Sequence, residues 1–309
     1  MPRIHYATCP VCSSPAVQFR MRLRDHAVSK EWFELWSCAS CQAFFTQDIP
    51  DPSDIGTYYA SENYISHTDT RKGFLFKAYH VARWFSLRWK YHIIESTYRA
   101  LPEANHARTV YPHVLDIGCG TGNFLHMMRQ HGWQPDGIEP SERARSLARE
   151  KYQLTIHEPA QLRDLPDGHY ALITLWHVLE HIHELHHTLS EIYRLLHPQG
   201  LVFIAVPNYT STDEHFFGNY WAAYDVPRHL FHFAPHTMQE LLKAYRFDVV
   251  KILPMRMDAW YISWLSAQYA RQRLPFVYGM MIGCLSWLVS YRYPLRSSSL
   301  LYIARKAKA

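Results

Sequence analysis

Two pairs of cysteines near the start of the chain are spaced as metal ligands. Cys9, Cys12, Cys38 and Cys41 form the pattern C-x2-C, 25 intervening residues, C-x2-C. Four thiolates fill the tetrahedral coordination shell of one metal ion and leave no open coordination position for catalysis. The spacing therefore predicts a structural zinc site of the zinc-ribbon type. Iron in the same ligand set, or no metal at all, is the alternative. A module of about 45 residues would depend on its metal for folding.

A second group of residues suits ligand binding where a strand ends. In VLDIGCGTGNFL, an apolar run from Val114 leads into Gly118, Gly120 and Gly122 and then into a helical pattern. Glycines permit the positive φ of a tight turn and let a ligand approach the backbone. The spacing G-x-G-x-G differs from the G-x-G-x-x-G of dinucleotide sites, and Asp116 places an anion where a pyrophosphate would be repelled. These residues predict a site for a positively charged small molecule.

A carboxylate follows at the distance expected of a ribose ligand. Glu139, in the apolar run DGIEP, lies 21 residues after Gly118. At the end of a second strand, an acidic side chain can accept hydrogen bonds from both ribose hydroxyls of an adenosyl group. Together, the glycine turn and this carboxylate are far more specific than a glycine motif alone.

With these motifs the chain resembles the class I methyltransferases that use S-adenosylmethionine (SAM), over about residues 55 to 306. VLDIGCGTG is similar to the family's first motif, GIEPS to its second-strand acidic motif, and LLHPQGLVFIAVPN to its segment LLKPGGxLxIxxPN. The resemblance implies that Glu139 binds ribose and that Asp116 and the glycine loop cradle the amino acid part of SAM. The loop residues implied are Gly118, Cys119, Gly120 and Gly122.

The adenine contact is less well marked. The family's usual acid after the third strand has no clear equivalent, so Glu158 and the backbone are both candidates. The family segment HVLEH corresponds to residues 177–181, and in it His177 is the candidate to line the methyl-transfer pocket or to act in catalysis. The alternative for His177 and His181 is that they hold a loop.

An aromatic segment after the predicted fifth strand is the candidate substrate region. It resembles the W-x(3)-D-x-P-R-H-L-x-x-F stretch of a methyltransferase subgroup, and it should border the active site because ligands bind at the carboxyl ends of such strands. Trp221, Asp225, Arg228 and His229 are the candidate substrate ligands, with His229 as general base because imidazole titrates near neutrality. The alternative is that Asp225 pairs with Arg228 to hold the loop while Trp221 packs.

Short apolar runs alternate with amphipathic segments from His113 onward. The runs VLDIG, DGIEP, LTIHE, ALITLW, LVFIAVPN, DVVKILPM and LLYIARK predict strands. This alternation predicts an α/β, Rossmann-like fold with a seven-stranded, mainly parallel sheet and helices on both faces. We expect a zinc-ribbon module at 1–50, a helical lid and linker at 51–108, and the SAM-binding domain at 109–309, with an apolar helical insertion at about 257–292.

Composition limits the partners and the location. The net charge of +5 is mild and the basic residues are scattered, so no nucleic acid is expected. The first residues contain no apolar run of signal-peptide length, so we expect a cytoplasmic protein. The uncharged stretch 274–291 leaves three interpretations open: a buried helix, a lid over an apolar substrate, or peripheral membrane contact. A membrane span is disfavoured because LLYIARK behind it must return to the sheet.

The resemblance implies transfer of a methyl group from SAM to a small acceptor. The apolar stretch 274–291 favours a hydrophobic or lipid-linked acceptor, and O-methylation is the favoured reaction. One alternative is a non-catalytic SAM-binding or scaffold protein that recruits a partner through its zinc module. The other is a zinc peptidase, since residues 183–187 match H-E-x-x-H, but chance matches are expected in a chain with 21 histidines. The oligomeric state is not indicated.

Overall fold

The computed structural model describes residues 2–59, 74–100 and 112–308, with side chains in the first helix described from residue 83 onward. The chain divides into two compact units. The first unit contains the described residues of 1–63, 176–189 and 204–304, and the second contains those of 64–175, 190–203 and 305–309. Residues 60–73 and 101–111, which belong to the predicted lid and linker, lie outside the described residues.

Seven strands form the main sheet, and each of them coincides with one of the apolar runs of the sequence. Their order is β12-β13-β10-β9-β6-β7-β8. The strands are β6 (His113–Ile117), β7 (Gln134–Ile138), β8 (Thr155–His157), β9 (Tyr170–Trp176), β10 (Leu196–Pro207), β12 (Phe247–Pro254) and β13 (Ser299–Lys306). The predicted seven-stranded Rossmann-like sheet is therefore confirmed.

Strands β6, β7, β8 and β9 pair in parallel, and their register aligns their carboxyl ends. Ile117, the last residue of β6, pairs with Ile138 of β7 on one side and with Leu175 of β9 on the other. Strands of a parallel sheet are covered on both faces and read as continuous apolar runs. The six residues of β9 from Tyr170 to Leu175 are all buried, as this rule requires.

A smaller, four-stranded sheet has the order β11-β4-β3-β2. Its strands are β2 (Val17–Arg24), β3 (Trp32–Cys38), β4 (Phe44–Gln47) and β11 (Phe231–His232), and the short strands β1 (Arg3–Ile4) and β5 (Ile49–Pro50) pair beside it in sequence. The first cysteine pair precedes this sheet in sequence, and the second pair lies at the end of β3 and in the turn that follows it. The neighbouring strands β2 and β3, β3 and β4, and β4 and β11 run antiparallel. The predicted substrate segment thus supplies one strand of the N-terminal sheet.

Eight α-helices lie in the described part of the chain. They are α1 (Phe74–Ala100), α2 (Asn123–Gln130), α3 (Glu142–Tyr152), α4 (Leu185–Leu195), α5 (Thr212–Phe217), α6 (Pro235–Ala244), α7 (Asp258–Tyr269) and α8 (Pro275–Arg292). None of the described helices has the combination of length and hydropathy that a membrane span requires.

Helices α7 and α8 pack closely because α8 turns its small residues inward. A Cβ on Gly279 would lie 2.5 Å from the Cα of Trp264, and one on Gly283 would lie 3.1 Å from the carbonyl oxygen of Ala259. The buried residues of α8 are Gly279, Ile282, Gly283, Ser286 and Ser290. Six of its large apolar side chains are instead exposed, namely Phe276, Val277, Met281, Leu285, Leu288 and Tyr291.

Candidate active site

The glycine turn after β6 has the backbone that its sequence predicts. Gly118, Gly120 and Gly122 have φ values of 76°, 55° and 74°. A Cβ on Gly122 would lie 2.6 Å from Leu154 Cδ1, so this glycine permits close packing of the chain. A Cβ on Gly120 would meet nothing within 4 Å, so this glycine borders open space. The turn thus has one packed glycine and one that leaves room for a ligand.

Asp116 lies in β6 and is buried, at 3% exposure. Its Oδ1 accepts a hydrogen bond of 2.6 Å from the hydroxyl of Thr174 on the paired strand β9. Burial raises the pKa of Asp116 to about 7, against the lowering effect of this bond. A cationic neighbour would stabilise the ionised form of this buried carboxyl group, and the ammonium group of an amino acid would supply such a cation.

Glu139 directly follows β7, and two backbone amides hold its carboxylate in place. Its Oε2 accepts a bond of 2.9 Å from the Gly120 amide, and its Oε1 accepts one of 2.9 Å from the Ser141 amide. Each carboxylate oxygen has a second lone pair, so these bonds orient the group and leave capacity for ribose hydroxyls. Asp116, the glycine turn and Glu139 all belong to the second unit.

Two other predicted cofactor residues have protein partners. Cys119 is buried, and a Cβ on Gly137 would lie 2.6 Å from its Sγ, so the thiol packs against β7. Glu158 begins a short 3-10 helix, and its Oε1 accepts a bond of 2.9 Å from Arg145. The acid proposed for adenine is therefore bound to an arginine in the described structure, which strengthens the case for a backbone contact.

His177 follows β9 in a left-handed conformation, with φ of 58°. Its Nε2 lies 3.2 Å from Asp258 Oδ2, and its Nδ1 lies 3.6 Å from Glu180 Oε1. Burial opposes protonation, but the two carboxylates outweigh it and raise the pKa of His177 to about 10. The side chain is consequently cationic at neutral pH and suits hydrogen-bond donation better than proton abstraction.

Glu180, His181 and His229 form a cluster in the first unit, in which Glu180 and His229 are buried and His181 is half-buried. One ligand-type atom from each lies within 4.8 Å of the others. The imidazoles of His181 and His229 meet edge to face, with ring centroids 4.5 Å apart. Burial lowers the pKa of His181 to about 4, so His181 is neutral at pH 7. Two histidines predicted separately are thus brought together with a glutamate that no prediction had singled out.

The predicted substrate residues Trp221, Asp225 and Arg228 have partners within the first unit. Arg228 is 1% exposed and donates to Asp225 Oδ2 at 2.9 Å and to Asp25 Oδ1 at 3.0 Å. Burial alone would raise the pKa of Asp225, but the guanidinium group outweighs it and holds this pKa below its usual range. Trp221 Nε1 donates to the buried Asp213 at 2.8 Å. These contacts fix the shape of the segment that presents His229.

The four N-terminal cysteines converge as the sequence predicts. Their Sγ atoms all lie within 4.8 Å of one another, with Cys9 and Cys41 3.6 Å apart and Cys12 and Cys38 also 3.6 Å apart. Thiolates about 2.3 Å from a tetrahedral zinc lie about 3.8 Å from each other, so the donor set fits this ion. These cysteines would hold a structural zinc, and all four ligand positions would be filled by protein.

The H-E-x-x-H match does not form a helical zinc site in the described structure. His183 precedes α4, which begins at Leu185, and its Nε2 lies 3.0 Å from the carbonyl oxygen of Pro50. The second histidine of the motif, His187, is exposed on α4. Because two histidines one turn apart must share a helix to bind one ion, this geometry disfavours the peptidase interpretation.

The seven-stranded sheet and the glycine turn after β6 have the arrangement of a class I methyltransferase domain. Residues 89–252, more than half of the chain, match the protein family described as "Methyltransferase domain". The chain therefore belongs to this methyltransferase family.

Two curated relatives carry names of O-methyltransferases. The chain is 27% identical over 140 residues to a malonyl-[acyl-carrier protein] O-methyltransferase of Serratia marcescens, covering 44% of this chain and 54% of the relative. It is 30% identical over 105 residues to a ubiquinone biosynthesis O-methyltransferase of Pseudomonas aeruginosa, covering 31% of this chain and 44% of the relative. The chain thus spans about half the length of the curated relatives it matches.

Solved structures with a similar fold include two methyltransferases. A SAM-dependent methyltransferase from Archaeoglobus fulgidus is 22% identical with a TM-score of 0.45, covering 70% of this chain and 99% of that one. The phosphoethanolamine N-methyltransferase 2 of Haemonchus contortus, in complex with SAM, is 17% identical with a TM-score of 0.46, covering 69% and 53%.

Sequence reasoning missed three carboxylates of the site: Asp25, Glu180 and Asp258. Glu180 lies inside the quoted motif HVLEH, and its position beside two histidines was the only signal available. Asp25 and Asp258 lie far along the chain from their partners Arg228 and His177. Only the folded chain brings these charges together.

Proposed function

We propose that this chain transfers a methyl group from SAM to a hydroxyl oxygen of a small, hydrophobic or lipid-linked acceptor. The observation that carries the proposal is the loop of the second unit, where a ligand-side glycine and a buried carboxyl group suit the amino acid part of SAM and a fixed Glu139 suits its ribose. The O-methyltransferase names of two relatives support oxygen as the acceptor atom.

SAM supplies a methyl group on a positively charged sulfur, which is already an activated leaving group. The chain must therefore bind and orient both partners, and proton removal is needed because the acceptor is a hydroxyl. In this proposal Asp116 and Gly118–Gly122 hold the amino acid part and Glu139 holds the ribose. The acceptor oxygen attacks the methyl carbon, the carbon–sulfur bond breaks, and its electron pair stays on sulfur.

His229 is the proposed proton acceptor, because His177 already holds its proton at neutral pH. The Nδ1 of His229 lies 2.8 Å from the carbonyl oxygen of Ala223, which fixes the ring and leaves Nε2 as the basic nitrogen. Trp221, Asp225 and Arg228 are proposed to shape the acceptor segment through the buried contacts described above. His177 is proposed to line the pocket as a cationic donor.

The outer face of α8 supports an apolar acceptor and a membrane surface as its source. Its exposed large side chains are Phe276, Val277, Met281, Leu285, Leu288 and Tyr291. From Ala259 to Ala309 the sequence contains seven basic residues and no aspartate or glutamate. An apolar helix face bordered by arginines binds in the plane of an anionic lipid surface. We propose peripheral contact of α8 with such a surface.

Calorimetry and turnover test the methyl-transfer proposal. SAM should bind the purified chain, and Glu139→Gln should weaken binding at least tenfold, whereas the exposed Glu150→Gln should leave it unchanged. With SAM and a panel of phenols, catechols and polyprenyl alcohols, at least one acceptor should gain the mass of a methylene group. Equal affinity in Glu139→Gln would remove the ribose assignment, and binding without turnover on any acceptor would favour the scaffold alternative.

Vesicle sedimentation tests the membrane contact. The chain should sediment with vesicles that contain phosphatidylglycerol and much less with neutral ones. The double variant Met281→Gln, Leu288→Gln should stay in solution, whereas Phe19→Gln, which changes an exposed apolar residue on β2, should sediment like the unchanged chain. Sedimentation of the double variant at the level of the unchanged chain would refute this contact.

A further inference from the structure

A buried carboxylate in the first unit lacks the hydrogen bonds that its burial demands. Glu180 is 1% exposed, and neither of its side-chain oxygens has a hydrogen-bond partner among the described residues. The Nδ1 of His177 lies 3.6 Å from Glu180 Oε1, which is close enough for an ion pair but longer than a hydrogen bond. Burying a carboxylate is costly unless it is paired and hydrogen-bonded, or coordinates a metal. Glu180 therefore has coordination capacity that the protein itself does not use.

The two histidines beside Glu180 present the nitrogens that a metal ion needs. The Nδ1 of His181 lies 2.9 Å from the carbonyl oxygen of Arg228 and 2.9 Å from the hydroxyl of Tyr59. The Nδ1 of His229 lies 2.8 Å from the carbonyl oxygen of Ala223. A carbonyl oxygen only accepts, so each Nδ1 carries the ring proton and each Nε2 keeps its lone pair. Metal-binding histidines are held in the same way, by a hydrogen bond from the other ring nitrogen.

The three side chains are close enough to share one ion. Their ligand-type atoms lie within 4.8 Å of one another, and small side-chain rotations would bring them to the spacing of roughly 3.5 Å found around a single ion. Two imidazoles and one carboxylate suit zinc, iron, manganese or cobalt, whereas magnesium prefers oxygen ligands alone. Three protein ligands also leave positions open, unlike the four-cysteine site.

We propose that Glu180, His181 and His229 bind a divalent transition-metal ion in the first unit. The two imidazoles and the carboxylate would hold the ion, and the ion would supply a Lewis acid with open coordination positions. When the ion is bound, His229 acts as its ligand, and His229 can then no longer serve as the proton acceptor of the proposed methyl transfer.

Zinc titration of the full chain, first stripped of metal, tests the site without any methyl acceptor. The unchanged chain should bind two equivalents, one at the cysteines and one at the cluster. Glu180→Gln and His229→Gln should each lower the affinity for the second zinc ion at least about 100-fold, and the affinity for the first zinc ion should not change. His187→Ala should keep both, because His187 is exposed on α4. This control also excludes the H-E-x-x-H histidines as the source of the second zinc.

Cobalt identifies the ligands of each equivalent. Thiolate-bound cobalt shows intense near-ultraviolet charge-transfer bands, and the equivalent lost in the two variants should lack them. If Glu180→Gln does not fold, as judged by circular dichroism, His229→Gln alone carries the test. One equivalent in the unchanged chain, or two in both variants, would overturn the metal site. If the chain binds SAM but only one equivalent of metal, the metal-site inference is wrong and the methyl-transfer proposal stands. If the chain binds two equivalents of metal but no SAM, the methyl-transfer proposal is wrong and the metal site stands.

Discussion

The glycine turn yields a prediction that separates a packing glycine from a ligand-side glycine. Gly122→Ala places a methyl group 2.6 Å from Leu154 Cδ1 and 3.1 Å from Ala148 Cβ, at a φ of 74°. The left-handed backbone costs roughly 1–2 kcal/mol for an alanine, and the overpacking costs roughly 1–3 kcal/mol more. We expect Gly122→Ala to lower the free energy of unfolding by about 2–5 kcal/mol.

Gly120→Ala is the matched control for this prediction. Its φ of 55° carries a similar backbone cost, but the new methyl group meets nothing within 4 Å. We expect a loss of only about 1–2 kcal/mol in unfolding and a loss of SAM affinity of at least tenfold, which corresponds to about 1.4 kcal/mol. Urea denaturation measures the first effect and calorimetry measures the second. The reasoning would be wrong if both variants lost equal stability, or if Gly120→Ala bound SAM as well as the unchanged chain.

Three further predictions concern charge and metal. The folded-state pKa of Asp116, about 7, lies above its unfolded value of about 3.9, so the native state binds the extra proton, and stability should fall as pH rises from about 4 to 7. Asp116→Asn should flatten the pH dependence of the free energy of unfolding between about pH 4 and 7, as measured by urea denaturation. An equally steep dependence in this variant would contradict the assignment. Arg228→Met leaves Asp25 and Asp225 without their shared cation and should cost about 3–5 kcal/mol in urea unfolding, whereas the exposed Arg149→Met should cost little. Cys38→Ser should lose the chelator-resistant zinc and lower the melting temperature, whereas Cys284→Ser should keep the zinc; retention in both would disprove the four-cysteine site.

The features that the sequence predicted well are those encoded within a few neighbouring residues. The turn at Gly118–Gly122 needs only its own glycines, and each strand of the main sheet is a short apolar run that requires burial on both faces. The cysteine pairs likewise carry their chemistry in their spacing. Local patterns of this kind predicted the strands of the main sheet and the backbone of the glycine turn.

Contacts between distant parts of the chain could not be predicted in the same way. Nothing near Glu180 in sequence indicates that His229 lies beside it, and nothing near Arg228 indicates Asp25. For α8 a usable pattern was present, because its small inward residues recur at helical spacing. The uniformly apolar composition of 274–291 concealed which side of this helix would face outward, since hydrophobicity alone distinguishes no face.

The contacts of the first unit make the zinc module a support for the proposed acceptor segment. The hydroxyl of Thr46 on β4 donates to the carbonyl oxygen of His229 at 2.7 Å, and β4 pairs directly with β11. The hydroxyl of Thr237 donates to the carbonyl oxygen of Cys41 at 2.9 Å. Because the cysteine loop and its sheet hold the backbone of His229, we expect that loss of a zinc ion bound at the four cysteines would displace His229. Zinc at the four cysteines and methyl transfer should therefore fail together, while SAM binding by the second unit persists.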